Sequence, residues 1–250
     1  MAATDSAGVP WEGRSFDHNS ASDDDGSAPE KLIEALRRFR VRELGEADVV
    51  DVVRESRLLI PLIAVLGEAG QNAHGQLVDK TQELSIVTVA GPDGRNILPA
   101  FSSVAAMSRW NPAARPVPAD GIRVALAAVD EGTDLVVLDP TSATEFVIRR
   151  PALWAMAKGE PWLPSYLDEA VLAAFMESAD GEEAVVAIQL APGDPDARLA
   201  DAELVVHLSL IEGLDQRQVS ELLEGLQERW SRSETIALRV DSLAVRLAHV

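Results

Sequence analysis

Between residues 95 and 139, strand-like and helix-like segments follow one another in an order that few protein architectures accommodate. "NILPAF" is typical of a strand, "VALAAVDEG" has apolar residues at helical spacing and ends in glycine, and "TDLVVLDP" is typical of a buried strand. A strand, a helical crossover and a second strand form a βαβ unit, whose strands lie parallel and whose crossover is right-handed. The sequence therefore predicts a mixed α/β or α+β fold built around this unit.

The segments before residue 95 extend the same sheet. Helices are predicted over residues 29–44 and 47–56, and the continuous apolar run "RLLIPLIAVL" that follows them predicts a buried strand. Asp93 and Gly94 lie between two strand-like runs and predict a hairpin turn, because both residues tolerate a positive φ. We therefore expect an N-terminal mixed sheet with flanking helices and one βαβ crossover.

Residues 98–118 concentrate tryptophan and proline in one short connection. A serine caps a short helix whose apolar face includes Trp110, and the Asn-Pro pair that follows ends this helix. "ARPVP" is expected to continue as an extended, polyproline-like chain up to the next helix. The connection is therefore predicted to be rigid, and Trp110, Pro116 and Pro118 are the candidate partner-binding residues.

The last third of the chain predicts a smaller layer. "EEAVVAIQL" and "AELVVHLSLI" are two strand-like runs, and the helix that begins near Asp215 carries an apolar stripe down to Trp230. "TIALRV" is predicted to be a third strand, while the final residues of the chain fit either a strand or a helix. The simplest arrangement is a smaller C-terminal β-β-α-β layer.

Charge is unevenly distributed along the chain, and this distribution predicts its domains. The net charge is −19, and residues 165–250 hold 17 acids against six bases. Residues 1–28 are rich in Ser, Asp and Gly with little apolar periodicity, so we expect a disordered acidic tail there. One domain is then expected over residues 29–163 and a small acidic α+β domain over residues 164–250.

The acidic surface also limits the partners. It repels phosphate backbones and anionic lipids, so neither a nucleic acid nor a membrane is expected to bind. The longest apolar run, at residues 58–66, is too short to cross a bilayer, and the N-terminus has no apolar signal core. The expected location is therefore cytoplasmic.

Several reactive side-chain patterns are missing from the sequence. It has no cysteine, which excludes thiol nucleophiles and thiolate metal sites. "GEAGQNAHGQL" has the glycine spacing of a phosphate-binding loop but lacks the Lys and Ser/Thr that must follow its second glycine. The four histidines are scattered and do not have the spacing of a metal site. We therefore expect no cofactor, no metal and no catalytic residues, in a protein that is not an enzyme.

One position in the predicted sheet remains suited to a ligand. Small ligands favour the crevice beyond the carboxyl ends of parallel strands. Asp139 ends a predicted strand there, and the glycine-rich loop that carries His74 and Lys80 follows another strand. Arg115, in the proline-rich connection, adds a further cation. These four residues are the candidate ligand-binding set.

A group of short motifs identifies a family that the chain resembles. They are the DGR hairpin, "LPAFSS" at the entry to a helix, the Trp followed by "RPVP", and "EGTDLVVLDP". Together they resemble the N-terminal domain of the SseB family, named for enhanced serine sensitivity and common in actinobacteria, over residues 31–160. The C-terminal β-β-α-β layer is similar to that family's second domain. The resemblance carries no catalytic residues with it.

Two function hypotheses remain open. In the first, the protein is a non-enzymatic binding or adaptor module that acts through protein-protein contacts. Its acidic surface favours a basic protein partner, and self-association into a homo-oligomer is the other option. In the second, it is a small-molecule binding module, for an amino acid or another anionic metabolite, with its pocket at the strand carboxyl ends.

Overall fold

The structure, a computed structural model, describes residues 24–65, 70–71, 77–78 and 83–249. Its helices are α1 (Glu30–Arg40), α2 (Glu46–Arg54), α3 (Val104–Trp110), α4 (Gly121–Asp130), α5 (Arg150–Lys158), α6 (Glu169–Ser178), α7 (Gln216–Arg232) and α8 (Glu234–Arg239), with a 3₁₀ turn at Ser165–Leu167. Its strands are β1 (Arg57–Val65), β2 (Gly70–Gln71), β3 (Leu77–Val78), β4 (Glu83–Ile86), β5 (Val89–Ala90), β6 (Asn96–Ala100), β7 (Arg115–Asp120), β8 (Leu135–Leu138), β9 (Phe146–Arg149), β10 (Val185–Pro192), β11 (Leu204–Leu210) and β12 (Leu243–His249).

The N-terminal part contains the predicted mixed sheet. Four strands lie in the order β5-β6-β8-β9, and β6 and β8 are parallel, joined through α3, β7 and α4. The hairpin of β5 and β6 turns at Asp93 and Gly94, as predicted. The fold class and the βαβ crossover expected from the sequence are therefore confirmed.

A second N-terminal sheet, in the order β4-β1-β7, joins this one at the bridge between Leu59 and Phe101. Leu59 of β1 donates to the carbonyl of Phe101 at 2.8 Å and accepts from its amide at 2.9 Å. The four longer N-terminal helices pack on the combined sheets around a core that includes Phe39 of α1 and Phe146 of β9, whose rings meet edge to face at 5.2 Å.

Strand β8 is apolar throughout because both of its faces are covered. Val136 and Leu138 face the main core under the helices. Leu135 and Val137 face a smaller cluster that includes Leu199, from the connection between β10 and β11. This is the arrangement in which a strand needs no alternation of polar and apolar residues.

The C-terminal layer is a three-stranded sheet in the order β10-β11-β12, with β11 and β12 parallel. Alternate residues of β11 are buried against α6, α7 and α8. Trp230 of α7 packs edge to face on Phe175 at 5.3 Å, and its indole N–H donates to the Ser178 hydroxyl at 2.7 Å. The predicted β-β-α-β order is confirmed, and its last strand is β12, in the segment that the sequence left open.

Two local predictions are wrong. "TIALRV" is not a strand, because the Ser233 hydroxyl accepts from the amide of Ile236 and starts the short helix α8. "ARPVP" is not a free polyproline connection, because it pairs with β1 as strand β7, with Val117 opposite Ile60. Apolar periodicity over so few residues does not distinguish these alternatives.

The predicted disordered tail, residues 1–28, lies outside the described residues as far as residue 23. Among residues 24–28, which the structure describes, three contact β1 and α3. Arg57 of β1 forms an ion pair with Asp24 at 2.9 Å and donates to the Ser27 carbonyl, and Val104 donates to the carbonyl of Gly26 at 2.9 Å. None of the helices in the described ranges is long and apolar enough to span a bilayer.

Candidate ligand-binding crevice

The carboxyl ends of the parallel strands β6 and β8 lie at the same edge of the sheet, where two loops leave it. Phe101 and Ser102 follow β6 and lead into α3, while Asp139 begins the loop that connects β8 to β9. The amide of Asp139 donates to the carbonyl of Ala100 at 2.8 Å, so pairing of the two strands continues to this point. The crevice predicted for ligands is at this edge.

The carboxylate of Asp139 fastens the two loops to each other. Its side chain is buried, with the residue 1% exposed. It accepts from the Ser102 amide at 2.8 Å, from the Ser102 hydroxyl at 2.7 Å and from the Thr144 hydroxyl at 2.8 Å. Three protein donors already bind this carboxylate, so its role in the crevice is structural: it holds the two loops together.

The loop after β8 holds two non-glycine residues in the left-handed region. Asp139 has φ 46° and Thr141 has φ 65°. Aspartate tolerates this region, but a β-branched threonine there is strained. Two local hydrogen bonds stabilise this strained backbone. The Thr141 amide donates to the Glu145 carboxylate at 2.5 Å, and the Ser142 amide donates to the Asp139 carbonyl at 3.2 Å. Strained backbone of this kind concentrates at functional sites.

A cavity of about 330 Å³ opens beside this loop. Helix α3 lines one wall, and the loop after β8 lines the other; the lining residues are Ala106, Arg109, Trp110, Asp139, Pro140, Thr141, Ser142 and Ala143. The cavity is at the small end of the range for small-molecule sites. It combines a guanidinium, an indole and two hydroxyl groups.

Local sequence positions the α3 wall. The Ser103 hydroxyl accepts from the Ala106 amide at 3.1 Å and begins the helix, and Asn111 leaves the helical region before a proline and ends it. The Trp110 ring is tilted against the buried ring of Phe101, with centroids 5.2 Å apart. The Phe101 ring therefore holds the Trp110 ring in place. The neighbouring Arg109 is exposed and also lines the cavity.

The candidate ligand-binding residues of the sequence do not all meet here. Asp139 lies in the cavity wall, whereas Arg115 is exposed on β7, opposite Leu62 of β1, and does not line the cavity. His74 and Lys80 lie outside the described residues. Among the candidate partner-binding residues, Trp110 lines the cavity, and Pro116 and Pro118 are exposed on β7.

Sequence reasoning missed the cation of the cavity. Arg109 directly precedes Trp110 on the helix that was predicted, so its side chain could have been placed beside the indole. No sequence signal marks Thr141 as part of the cavity, because the positive φ of a threonine cannot be predicted from its residue type.

The match to a known family covers this region. Residues 31–155 match the SseB protein N-terminal domain. The chain belongs to the SseB family. No curated protein and no solved structure matches the chain. All lining residues of the cavity, from Ala106 to Ala143, lie within the SseB-matched part.

The outer edge of the SseB-domain strand β7 cannot extend the sheet. Leu59 turns its backbone groups toward Phe101, so its neighbours Leu58 and Ile60 turn theirs toward β7. Pro116 and Pro118 therefore occupy the positions of β7 that face outward, where they provide no amide donor. A partner that binds by adding a strand has no hydrogen-bond ladder at this edge.

A second polar cluster joins the SseB domain to the C-terminal layer. The Arg149 guanidinium, at the end of β9, binds Asp194 at 2.7 Å and Asp241 at 3.1 Å, and Arg95 binds Asp241 at 2.8 Å. Asp194 also accepts from the amide of Leu199 at 2.7 Å. This cluster borders a cleft of about 550 Å³, but its carboxylates are already engaged by protein donors.

Further polar groups lie near this cluster, and among them Glu46 and Glu203 are buried. The Tyr166 hydroxyl donates to Glu46 at 3.1 Å, and Glu203 accepts from the Ser165 hydroxyl at 2.8 Å and from the Asp241 amide at 2.7 Å. Burial raises the pKa of Glu46 to about 7 and also raises the pKa of Glu203. Burial and the neighbouring Glu46 carboxylate raise the pKa of Tyr166. These contacts give the cluster a role in joining the two layers.

Proposed function

We propose that this SseB-family protein is a non-enzymatic binding module that holds a small anionic ligand, of amino-acid size, in the crevice beyond β6 and β8. The observation that carries the proposal is the cavity of about 330 Å³ that places Arg109 and Trp110 opposite the strained loop after β8. It lies at the position in a parallel sheet where ligands usually bind.

The lining groups suit a carboxylate ligand with an apolar or hydroxylated body. A guanidinium offers two parallel N–H donors to a carboxylate, which makes Arg109 the anchor. The indole of Trp110 offers a flat apolar wall against which the rest of the ligand packs. The exposed Thr141 side chain, at the rim, supplies a hydroxyl that can donate or accept.

The absence of turnover is part of the proposal. A hydroxyl nucleophile needs a base within hydrogen-bond reach. In the part of the crevice that the structure describes, the Asp139 carboxylate is within reach of the Ser102 and Thr144 hydroxyls, but neither of these residues lines the cavity. Ser142 does line it, and its hydroxyl contacts that of Thr144 at 2.9 Å. These arrangements support binding without chemistry.

Titration of the full chain with a defined panel tests the proposal. The probes are the common amino acids, short dicarboxylates, inorganic phosphate and adenosine monophosphate, followed by thermal shift and by isothermal titration calorimetry. We expect at least one carboxylate to bind, Arg109→Gln to weaken that binding by about tenfold or more, and Arg217→Gln to leave it unchanged. Arg217 is the matched control because its side chain is 80% exposed on α7.

Tryptophan fluorescence locates the site. Binding should change the emission of the wild-type chain, and Trp110→Phe should remove that change, while Trp154→Phe on α5 should keep it. A flat response over the whole panel overturns the proposal. So does a response that Arg109→Gln and Trp110→Phe both leave intact, or catalytic conversion of a bound probe.

A protein partner is the second candidate function. The specific observation in its favour is charge, since residues 165–250 carry 17 acids against six bases. Such a surface attracts basic proteins, and this attraction weakens as salt rises. Cross-linked capture from native lysate at low and high salt tests it: a stoichiometric basic partner released by salt supports it, and no stoichiometric partner at low salt removes it.

A further inference from the structure

We propose that a second copy of this chain docks on the exposed face of α4, with the two α4 helices antiparallel about a twofold axis. This interface is separate from the crevice, since neither α4 nor its exposed side chains line that cavity.

Helix α4 carries apolar side chains on two faces. Val124, Ala125 and Ala128 are buried against the N-terminal core. Ile122, Leu126 and Val129 remain 37%, 46% and 46% exposed. Their spacings of four and three residues align them in one stripe along the helix. The stripe is therefore a continuous apolar surface that the described residues of the chain leave in water.

The charges that flank this stripe are reversed relative to the helix dipole. Arg123 lies in the first turn of α4 and Asp130 in the last, whereas a single helix favours acids first and bases last. Within its own chain, Arg123 approaches Asp120 at 3.5 Å, but both side chains are exposed, so this pair is screened by water. The order of charges suits a second helix that runs in the opposite direction.

The stripe and its charges are self-complementary. Arg123 and Asp130 are seven residues apart, so they lie on one flank of α4, at equal distances from the helix midpoint between Leu126 and Ala127. In an antiparallel pair centred there, each Arg123 faces Asp130 of the other copy, and the two Leu126 side chains pack together. In a parallel pair the two Arg123–Asp130 flanks would lie on opposite sides of the contact and would not meet.

Twofold symmetry makes this contact close on itself, so it gives a dimer without further growth. One helix face of this length buries less than the roughly 800 Å² per partner of a standard interface. Val117, on the strand that leads into α4, is also exposed, at 38%. We therefore expect a weak dimer that dissociates on dilution.

Sedimentation velocity over a wide range of protein concentration measures this equilibrium. We expect the wild-type chain to shift from monomer to dimer as concentration rises. Leu126→Glu should raise the dimer dissociation constant by about tenfold or more, because it brings two carboxylates together at the centre of the interface. Leu238→Glu should leave the constant unchanged; Leu238 is the matched control because it is also 46% exposed on a helix, α8.

Charge reversal tests the antiparallel geometry, which a purely apolar contact does not require. Arg123→Glu and Asp130→Arg should each weaken self-association, because each creates two like-charge contacts across the twofold axis. Mixing these two variants should restore association as a heterodimer, and the double variant should restore the homodimer. Both effects should fade at high salt.

Four results would overturn the proposal. They are a chain that stays monomeric at every concentration, a dimer that Leu126→Glu does not weaken, a dimer that Leu238→Glu weakens equally, and charge variants that mixing fails to rescue. Circular dichroism of each variant confirms that it is folded, which is expected because the substituted side chains are exposed.

Discussion

Arg149 and Asp194 form an ion pair with 2.7 Å between Nη2 and Oδ2, and their side chains are only 5% and 3% exposed. Arg149 ends a strand of the SseB domain, whereas Asp194 belongs to the connection between β10 and β11. The bond therefore joins the two layers of the molecule in a place that water does not reach. A buried charge is tolerated only while its partners are present.

Arg149→Met should lower the free energy of unfolding by about 3–5 kcal/mol, because it leaves the buried carboxylate of Asp194 without its cation and leaves Asp241 with Arg95 alone. Urea denaturation followed by circular dichroism measures this loss. Arg217→Met, at an exposed position, is the control and should change stability by less than about 1 kcal/mol. An equal, small effect of both substitutions would show that the cluster does not stabilise the fold.

Stability should fall as pH rises through the range in which Glu46 titrates. The pKa of Glu46 is raised from 4.5 to about 7, so between these values the folded chain binds more protons than the unfolded chain. The free energy of unfolding then decreases with rising pH across this window, and the raised pKa of Glu203 adds to the same trend.

Glu46→Gln should flatten this pH dependence. Its amide oxygen still accepts from Tyr166, while the group no longer ionises, so we expect the variant to gain on the order of 2 kcal/mol over wild type above the titration range. Urea midpoints between about pH 5 and pH 8 measure the difference. Glu212→Gln, at an exposed glutamate, is the control, and an unchanged slope in Glu46→Gln would contradict the prediction.

Asp139→Asn should cost about 1–3 kcal/mol, because an amide offers one acceptor oxygen where the carboxylate receives three donors. Asparagine keeps the left-handed backbone, whereas Asp139→Ala should cost more because alanine also strains at φ 46°. Thermal and urea unfolding measure both variants beside Asp134→Asn, an exposed control. If alanine is tolerated better than asparagine, Asp139 does not fasten the loops.

Two glycine-to-alanine substitutions should act in opposite directions. A Cβ at Gly121 would lie 2.1 Å from the Val53 carbonyl oxygen, so Gly121→Ala should force α4 away from α2 and cost about 1–3 kcal/mol. At Gly225, inside α7, the nearest group is the flexible end of Arg229 at 3.7 Å. Gly225→Ala should therefore stabilise the chain by up to about 1 kcal/mol through helix propensity, and urea midpoints give both signs.

Replacing both Pro116 and Pro118 by threonine should restore two amide donors on the outer edge of β7 and promote edge-to-edge association. Light scattering on incubation measures it, in a Leu126→Glu background that removes the proposed α4 contact. Pro112→Thr, in the turn before β7, is the control. Equal scattering from both variants would mean that the prolines do not protect this edge.

The βαβ unit was predictable because its signals are local. Asn-Pro ends α3, Asp120 caps α4 by accepting from Arg123 at 2.9 Å, and the apolar run of β8 marks a strand covered on both faces. Parallel pairing of β6 and β8 is then expected, because a helical crossover is the connection that joins parallel strands.

Pairing between distant segments was not predictable. Val117 meets Ile60 and Arg149 meets Asp194, each across more than forty residues, and no local pattern encodes either partner. The same is true of the crevice: the strand-end position was expected, but the approach of Arg109 to Thr141 depends on a left-handed threonine that the sequence does not mark.

The ion pairs of Arg149 also show that the segment that matches the family is shorter than the segment that packs together in the fold. The SseB match ends at residue 155, while both carboxylates that neutralise Arg149, and the Ala197 carbonyl that receives the Val147 amide at 2.8 Å, come later in the chain. A fragment cut at that border would lose both carboxylate partners of Arg149 and the acceptor of the Val147 amide. Any chimaera that exchanges the second layer must therefore import equivalents of Asp194 and Asp241 along with it.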